Sequence, residues 1–205
     1  MNRRGLSLLE MLLAISITSV IGAAIASMMA AATTSLTSKN DGRQSAIRLA
    51  TTQVRLGAYI APSLCILDKG NSFLTLWNED SSESDTVHSS EIRWIRFDSD
   101  DKTLHVQFVN FPEDWSQSMI DAADVECDSL TNYETLFNGL QSDNLIASIS
   151  LVDAMESCAF WIDTAEPTEA TRVCIRFSFT SLFGETNDAM IDESIRIHHL
   201  PSEQQ

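Results

Sequence analysis

The chain has 205 residues, with 29 acidic and 13 basic side chains and a formal net charge of −16. This balance argues against nucleic-acid binding, because such surfaces need clustered Lys and Arg to neutralise phosphates. A hydrophobic content of 44% is ordinary for a globular protein, so the length allows one domain with an appendage. The charge is unevenly distributed: Glu10 is the only charged residue between Leu6 and Ser38.

A long apolar run begins the chain after two arginines. Residues 11–38 contain no charge and no proline, and as a helix these 28 residues would extend about 42 Å. A bilayer core is roughly 30 Å thick, so the run predicts a transmembrane helix over about residues 6–35. Two alternatives also fit an apolar run. One is a secretory signal cut within the Ala-rich stretch 22–32, and the other is an uncleaved single-pass anchor.

Glu10 argues against both alternatives. A carboxylate inside an apolar helix is costly in lipid and persists where it has a partner or a function. Residues 3–10 read RRGLSLLE, a basic leader ending in Gly, then an aliphatic residue, Ser, Leu, an aliphatic residue and Glu. This string, with the apolar helix behind it, resembles the class III signal of type IV pilins and type II secretion pseudopilins. Leu6 departs from the Phe that is commonest there.

The resemblance implies a processing route and an orientation. A prepilin peptidase would remove the leader, residues 1–5, by cutting between Gly5 and Leu6 on the cytoplasmic side, and would methylate the new amine of Leu6. Gly5 suits a cut that needs close backbone approach. Glu10 would neutralise the amine of a neighbouring subunit, since two buried opposite charges are tolerable where one alone is not. The resemblance places the protein in the bacterial inner membrane, with the N-terminus cytoplasmic and the head periplasmic.

The helix is predicted to continue beyond the membrane to residue 61, just before Pro62. Its apolar positions recur at steps of three and four and form one stripe: Ile47, Ala50, Val54 and Ala58. We expect this stripe to pack on the sheet of the head.

Residues 62–200 predict a β-rich, mostly antiparallel head, so the fold class is α+β: a long N-terminal helix whose second half packs on a pilin-like head. Strands are expected at 73–77, 91–98, 104–109, 145–151, 159–163, 173–179 and 194–198. Residues 98–102 predict a hairpin turn and residues 117–126 a short helix. The acidic segment 78–90 is expected to be a mobile loop, and residues 201–205 a disordered tail.

Four cysteines allow two disulfides in an oxidising compartment, with three connectivities that the sequence does not distinguish. Cys158 and Cys174 flank a turn around Pro167 almost symmetrically, which makes a disulfide across a hairpin one possibility. The alternative is that all four are small buried hydrophobic residues. No C-x-x-C pair is present.

Motif searches favour a non-enzymatic protein. The chain lacks G-x-S-x-G, H-E-x-x-H, P-loop and G-x-G-x-x-G patterns, and its four histidines read as surface residues. We therefore predict no catalytic residues, no metal and no cofactor. Three aspartates at 98–101 do not supply the six to eight converging oxygens that calcium takes.

The resemblance implies a structural role as a minor pseudopilin of a type II secretion pseudopilus or related filament. The layout is similar to the J-type minor subunits. Its implied partners are the prepilin peptidase, other major and minor pseudopilins, the inner-membrane assembly platform and the membrane, with no nucleic acid. The first alternative is a minor type IV pilin acting in adhesion or DNA uptake. The second is a membrane-tethered enzyme or sensor with a chance leader match.

Overall fold

The computed structural model describes the backbone of residues 8–180 and 186–202, and the side chains of residues 11–30, 46–180 and 186–202. The chain divides into two compact units, residues 1–46 and residues 47–205. Helix α1 (Leu8–Ile60) begins in the first unit and ends in the second. The predicted α+β class is confirmed, since an N-terminal apolar helix is followed by antiparallel sheets.

The head contains ten strands and two short α-helices among the described residues. The strands are β1 (Cys65–Lys69), β2 (Phe73–Trp77), β3 (Val87–His88), β4 (Ile92–Asp98), β5 (Thr103–Val109), β6 (Glu126–Cys127), β7 (Ile146–Val152), β8 (Met155–Ile162), β9 (Arg172–Thr180) and β10 (Thr186–Ser194). The helices are α2 (Gln117–Ala123) and α3 (Tyr133–Ser142). The sheet orders are β1-β2-β4-β5-β7, β10-β9-β8 and β3-β6.

Most predicted strands are present, but the last one was placed wrongly. The structure has β10 at Thr186–Ser194, whereas residues 195–198 belong to no strand. The register explains the difference. Strand β10 pairs with β9 until Ser194 meets Arg172, the first residue of β9, so no partner strand remains beyond that point. Four elements were not predicted at all: strands β1, β3 and β6 and helix α3.

The five-stranded sheet is buried on both faces. Side chains on one face pack with those of β8, β9 and β10 in a core cluster. This cluster also contains Leu56 and Ile60 of α1. The other face is covered by α3 and the β3-β6 pair. Along β4, Trp94 enters the second cluster and Ile95 the first. Because both faces are covered, neither face of this strand is fully polar, as its sequence EIRWIRFD already indicated.

The acidic segment 78–90 is held in place, contrary to the expected mobile loop. The buried carboxylate of Glu91 accepts hydrogen bonds from several donors of this segment and from an indole: Ser81 N at 2.7 Å, Trp77 Nε1 at 3.0 Å, and Ser82 N and His88 N at 3.1 Å. Asp124 accepts from Ser90 N at 2.9 Å on the other side of the segment. Hydrogen bonds to two carboxylates therefore anchor this segment together with the buried side chain of Val87 in β3.

The proposed Cys158–Cys174 disulfide is wrong, because all four cysteines are free thiols. In the β8–β9 ladder, Cys158 lies opposite Phe177 and Cys174 opposite Trp161. The two cysteines are thus three rows apart, an odd offset that points them to opposite faces of the sheet. The nearly symmetric spacing of Cys158 and Cys174 around Pro167 suggested that the two face each other, but the spacing does not determine the strand register.

The chain beyond β10 returns to the acidic segment. Ser202 N donates to the carbonyl of Asp85 at 2.8 Å, and Pro201 is buried. Residues 203–205 of the predicted disordered tail lie outside the described residues. The predicted turn after β4 is present, where Asp98 and Asp101 accept from the backbone of Asp100 and Thr103 at 2.8 and 2.9 Å.

Candidate functional site

The residues predicted to carry the function lie at and near the start of helix α1. Gly5 and Leu6, the predicted cleavage site, lie outside the described residues. Glu10 lies within the backbone of α1, which begins at Leu8, and its side chain is not among those described. The structure therefore provides a helix at the position of Glu10, and the chemistry of residues 5, 6 and 10 remains a prediction.

One segment of α1 is long and apolar enough to cross a membrane. Met11–Ala30 has a mean hydropathy of 2.1, and none of it is buried within the protein. Large apolar side chains such as Val20 and Met28 are 70% and 75% exposed. A helix that is apolar all round and uncovered by its own chain suits a lipid or protein environment.

The hydroxyl groups of this segment are satisfied within the helix. Ser16 Oγ donates to Leu13 O at 2.9 Å, and Thr18 Oγ1 donates to Ala14 O at 2.8 Å. Ser19 makes the same kind of bond, at 2.8 Å to Ile15 O. Because these groups bond to carbonyls one turn back, they add little cost when the helix leaves water.

Residues 47–60 bury a different face from the one predicted. The buried positions are Thr52, Leu56 and Ile60, which are at most 1% exposed. The predicted stripe, Ile47, Ala50, Val54 and Ala58, is exposed throughout. Each residue of the stripe lies two positions before a residue of the buried face. At 3.6 residues per turn, two positions correspond to a rotation of roughly 200° about the helix axis, so the two faces are nearly opposite. The expectation that this stripe packs on the sheet is therefore wrong.

Side-chain size explains which face is buried. Leu49, Leu56 and Ile60 are larger than Ala50 and Ala58 and fill more of the core beside the sheets. Helical periodicity counts every apolar residue equally, whatever its size, so it favoured the face that has more apolar residues. Comparing side-chain volumes would have identified the buried face.

Polar contacts hold the same segment at its flanks. The guanidinium of Arg55 donates from Nη1 to the carbonyl oxygen of Leu151 in β7. The guanidinium of Arg48 lies 5.2 Å from the ring centre of Phe179 in β9, within the range of a cation–π contact. The apolar stripe lies outside these contacts and the buried face, and it is exposed together with the polar residues Thr51 and Gln53.

Exposure of this stripe is high for apolar side chains. Ile47 is 56% exposed and Val54 is 73% exposed. An amphipathic helix on a globular domain normally turns its apolar stripe to the core and a polar face to water. Here one face is buried and the opposite face is also apolar, so the helix presents a surface suited to a second apolar partner.

Among the described residues, no three His, Cys, Asp or Glu side chains lie close enough together to hold a metal ion. Burial raises the pKa of the thiols of Cys65 and Cys158 to about 12, so both stay protonated. A protonated thiol is a poor nucleophile and a poor metal ligand.

No family model matches the sequence, and neither the curated proteins nor the solved structures include a significantly similar chain.

Proposed function

We propose that this chain is a minor pseudopilin, a structural subunit of a type II secretion pseudopilus or a related filament. The observation that carries the proposal is the apolar stripe of Ile47, Ala50, Val54 and Ala58, exposed on α1 opposite its buried face. An apolar span at Met11–Ala30 and the leader string RRGLSLLE support it.

The stripe fits assembly through helices. A monomer gains nothing from exposing apolar residues at regular helical spacing, whereas a bundle of subunits would bury them against neighbouring helices. Alanines at two of the four positions allow close helix approach. In the proposed filament, α1 forms the bundle, and the head is carried on its second half through Leu56, Ile60 and Arg55.

Assembly in this proposal proceeds in steps. The precursor inserts in the inner membrane with its N-terminus in the cytoplasm, and a prepilin peptidase cuts between Gly5 and Leu6 and methylates Leu6. The subunit then joins other major and minor pseudopilins at the assembly platform. Glu10 pairs with the amine of a neighbouring subunit, and the pair fixes their axial register.

The substitution Val54→Glu tests the stripe. We expect it to reduce incorporation into filaments by at least about tenfold, because assembly would bury an unpaired carboxylate. Incorporation is measured by in vivo cross-linking and shearing of filaments in a strain that expresses the whole system. The matched control is Gln53→Glu, an exposed position next along the same helix.

A stability measurement separates an assembly defect from a folding defect. Thermal unfolding of both purified variants should match that of the wild type, since neither position is buried. Normal incorporation of Val54→Glu, or equal loss in both variants, would contradict a role for the stripe in assembly.

A further inference from the structure

One face of the five-stranded sheet carries a row of polar side chains beneath α3. The register places Thr75, Trp94 and Gln107 directly beside one another on β2, β4 and β5. Arg96 lies two residues after Trp94 on the same face, opposite His105. All four side chains therefore occupy neighbouring positions on one surface of the sheet.

These four side chains share an unusual property. Thr75 Oγ1, Trp94 Nε1, Arg96 Nη1 and Gln107 Oε1 are buried, and each lacks a hydrogen-bond partner. Within the described part of the chain they are the buried side-chain atoms in this condition, and all lie on the same patch. A buried polar atom without a partner destabilises the folded state, so a cluster of such atoms indicates a missing partner.

A cavity of about 300 Å³ opens beside this row, between the sheet and α3. Its lining includes Arg96, His105 and Gln107 from the sheet, and Phe137, Asn138 and Gln141 from α3. The volume suits a small group rather than a large ligand. The cavity thus adjoins two of the four unsatisfied side chains, Arg96 and Gln107.

Arg96 is positioned by aromatic rings. Its guanidinium carbon lies 4.6 Å from the ring centre of Phe137 and 5.3 Å from that of Phe73. Its other terminal nitrogen, Nη2, is 3.6 Å from Glu134 Oε1, a separation longer than a hydrogen bond. The ring contacts fix the guanidinium plane while one N–H group stays unused.

The polar atoms define what the cavity would accept. Arg96 Nη1 needs an acceptor, and Gln107 Oε1 needs a donor. An amide supplies both in one planar group, a carbonyl oxygen and an N–H. A carboxylate supplies only acceptors, and it would face Glu134 near Arg96, Asp98 in the lining, and Asp101, whose Oδ2 is 3.0 Å from His105 Nε2.

We propose that this cavity binds a neutral amide group, presented as a peptide bond or as the side chain of Asn or Gln on a partner protein. The amide oxygen would accept from Arg96 and the amide N–H would donate to Gln107. The proposal does not depend on the assembly role of α1, because it concerns a different surface with separate residues.

The indole of Trp94, which lies beside the cavity-lining residue Gln107 in the sheet, provides a nearby spectroscopic readout. The full-length protein in detergent micelles is labelled with ¹⁵N-tryptophan, and the Trp94 indole signal is assigned with Trp94→Phe. Propionamide represents a side-chain amide, N-methylacetamide a peptide bond, and acetate at matched ionic strength an anion. We expect a saturable shift of the Trp94 signal with at least one amide and none with acetate.

Variants separate binding from folding. Arg96→Met and Gln107→Leu are each expected to weaken amide binding by at least about tenfold, the loss of one hydrogen bond to a charged or buried group. Gln107→Leu should melt at the same or a higher temperature, because it removes a buried oxygen without a partner. Gln117→Leu, at an exposed position of α2, is the control and should bind as the wild type does.

Three results would overturn the proposal. They are the absence of a saturable shift with either amide, tighter binding of acetate than of both amides, and unchanged amide binding by Gln107→Leu. If neither amide gives a saturable shift, the row of polar side chains is solvated by water alone.

Discussion

Glu91→Ala is expected to lower the free energy of unfolding of the head by about 3 kcal/mol or more. The carboxylate is 1% exposed and accepts from Trp77 Nε1 and from the backbone of Ser81, Ser82 and His88. Alanine would leave the buried indole N–H of Trp77 and the part-buried backbone donors of Ser81, Ser82 and His88 without this acceptor, and would release the segment that they anchor. Urea unfolding of the full-length protein in detergent, followed by tryptophan fluorescence, measures the change.

Two further variants locate the cause. Glu91→Gln keeps the shape but replaces one acceptor oxygen by an NH₂ donor, so we expect a loss between zero and that of Glu91→Ala. Glu79→Ala removes a neighbouring acid that is 59% exposed and 3.6 Å from Arg93, and should cost about 0–1 kcal/mol. Equal losses for Glu91→Ala and Glu79→Ala would contradict the anchoring role.

The same residue makes stability depend on pH. Burial alone would raise the pKa of Glu91, but the hydrogen bonds from His88, Trp77, Ser81 and Ser82 outweigh it and hold the pKa below its usual range. The folded state therefore favours the carboxylate, and its contribution is complete above the unfolded pKa of about 4.3. As the pH falls through the lowered folded pKa, the stability advantage of the wild type over Glu91→Gln should shrink.

Glu10→Ala is expected to abolish filament incorporation while leaving cleavage by the prepilin peptidase intact. In the proposed assembly, this carboxylate neutralises the amine of a neighbouring subunit inside the apolar bundle, and alanine would leave that amine unpaired. The measurement is the ratio of subunit in sheared filaments to subunit in the membrane, with processing followed by intact mass.

Ser16→Ala is the control for Glu10→Ala. Ser16 lies in the same apolar span, and its hydroxyl bonds to the carbonyls of Leu12 and Leu13 of its own helix. We expect it to assemble normally, because the hydroxyl has no partner role outside the helix. Normal filaments with Glu10→Ala would remove the charge-pairing step from the proposal.

Sequence patterns located the elements with strong apolar signals. Strand β2, predicted at 73–77, is Phe73–Trp77 in the structure, because its short apolar run is bounded by polar residues on both sides. Strand β10 was missed because its nine residues contain three acids and only Ile191 is buried. A strand that covers a sheet edge with one buried side chain has almost no apolar alternation to detect.

The candidate sites also differ in whether the sequence alone reveals them. Gly5, Leu6 and Glu10 were predicted from a contiguous string, which a sequence displays directly. The role of Glu91 depends on how the acidic segment folds around this carboxylate, and the row of Thr75, Trp94 and Gln107 depends on strand pairing, so neither is visible in the sequence. The exposed stripe at Val54 was recognised as apolar, but its direction was set by the larger side chains of Leu56 and Ile60.

A chain that assembles as a pilin-like subunit must first be processed behind Gly5, so the mature N-terminus distinguishes this proposal from a simple membrane anchor. The full-length protein is co-expressed with a prepilin peptidase and examined by intact mass and N-terminal sequencing. We predict loss of residues 1–5 and a methylated amine on Leu6. A cut near residue 30, or an intact N-terminus, would contradict the account.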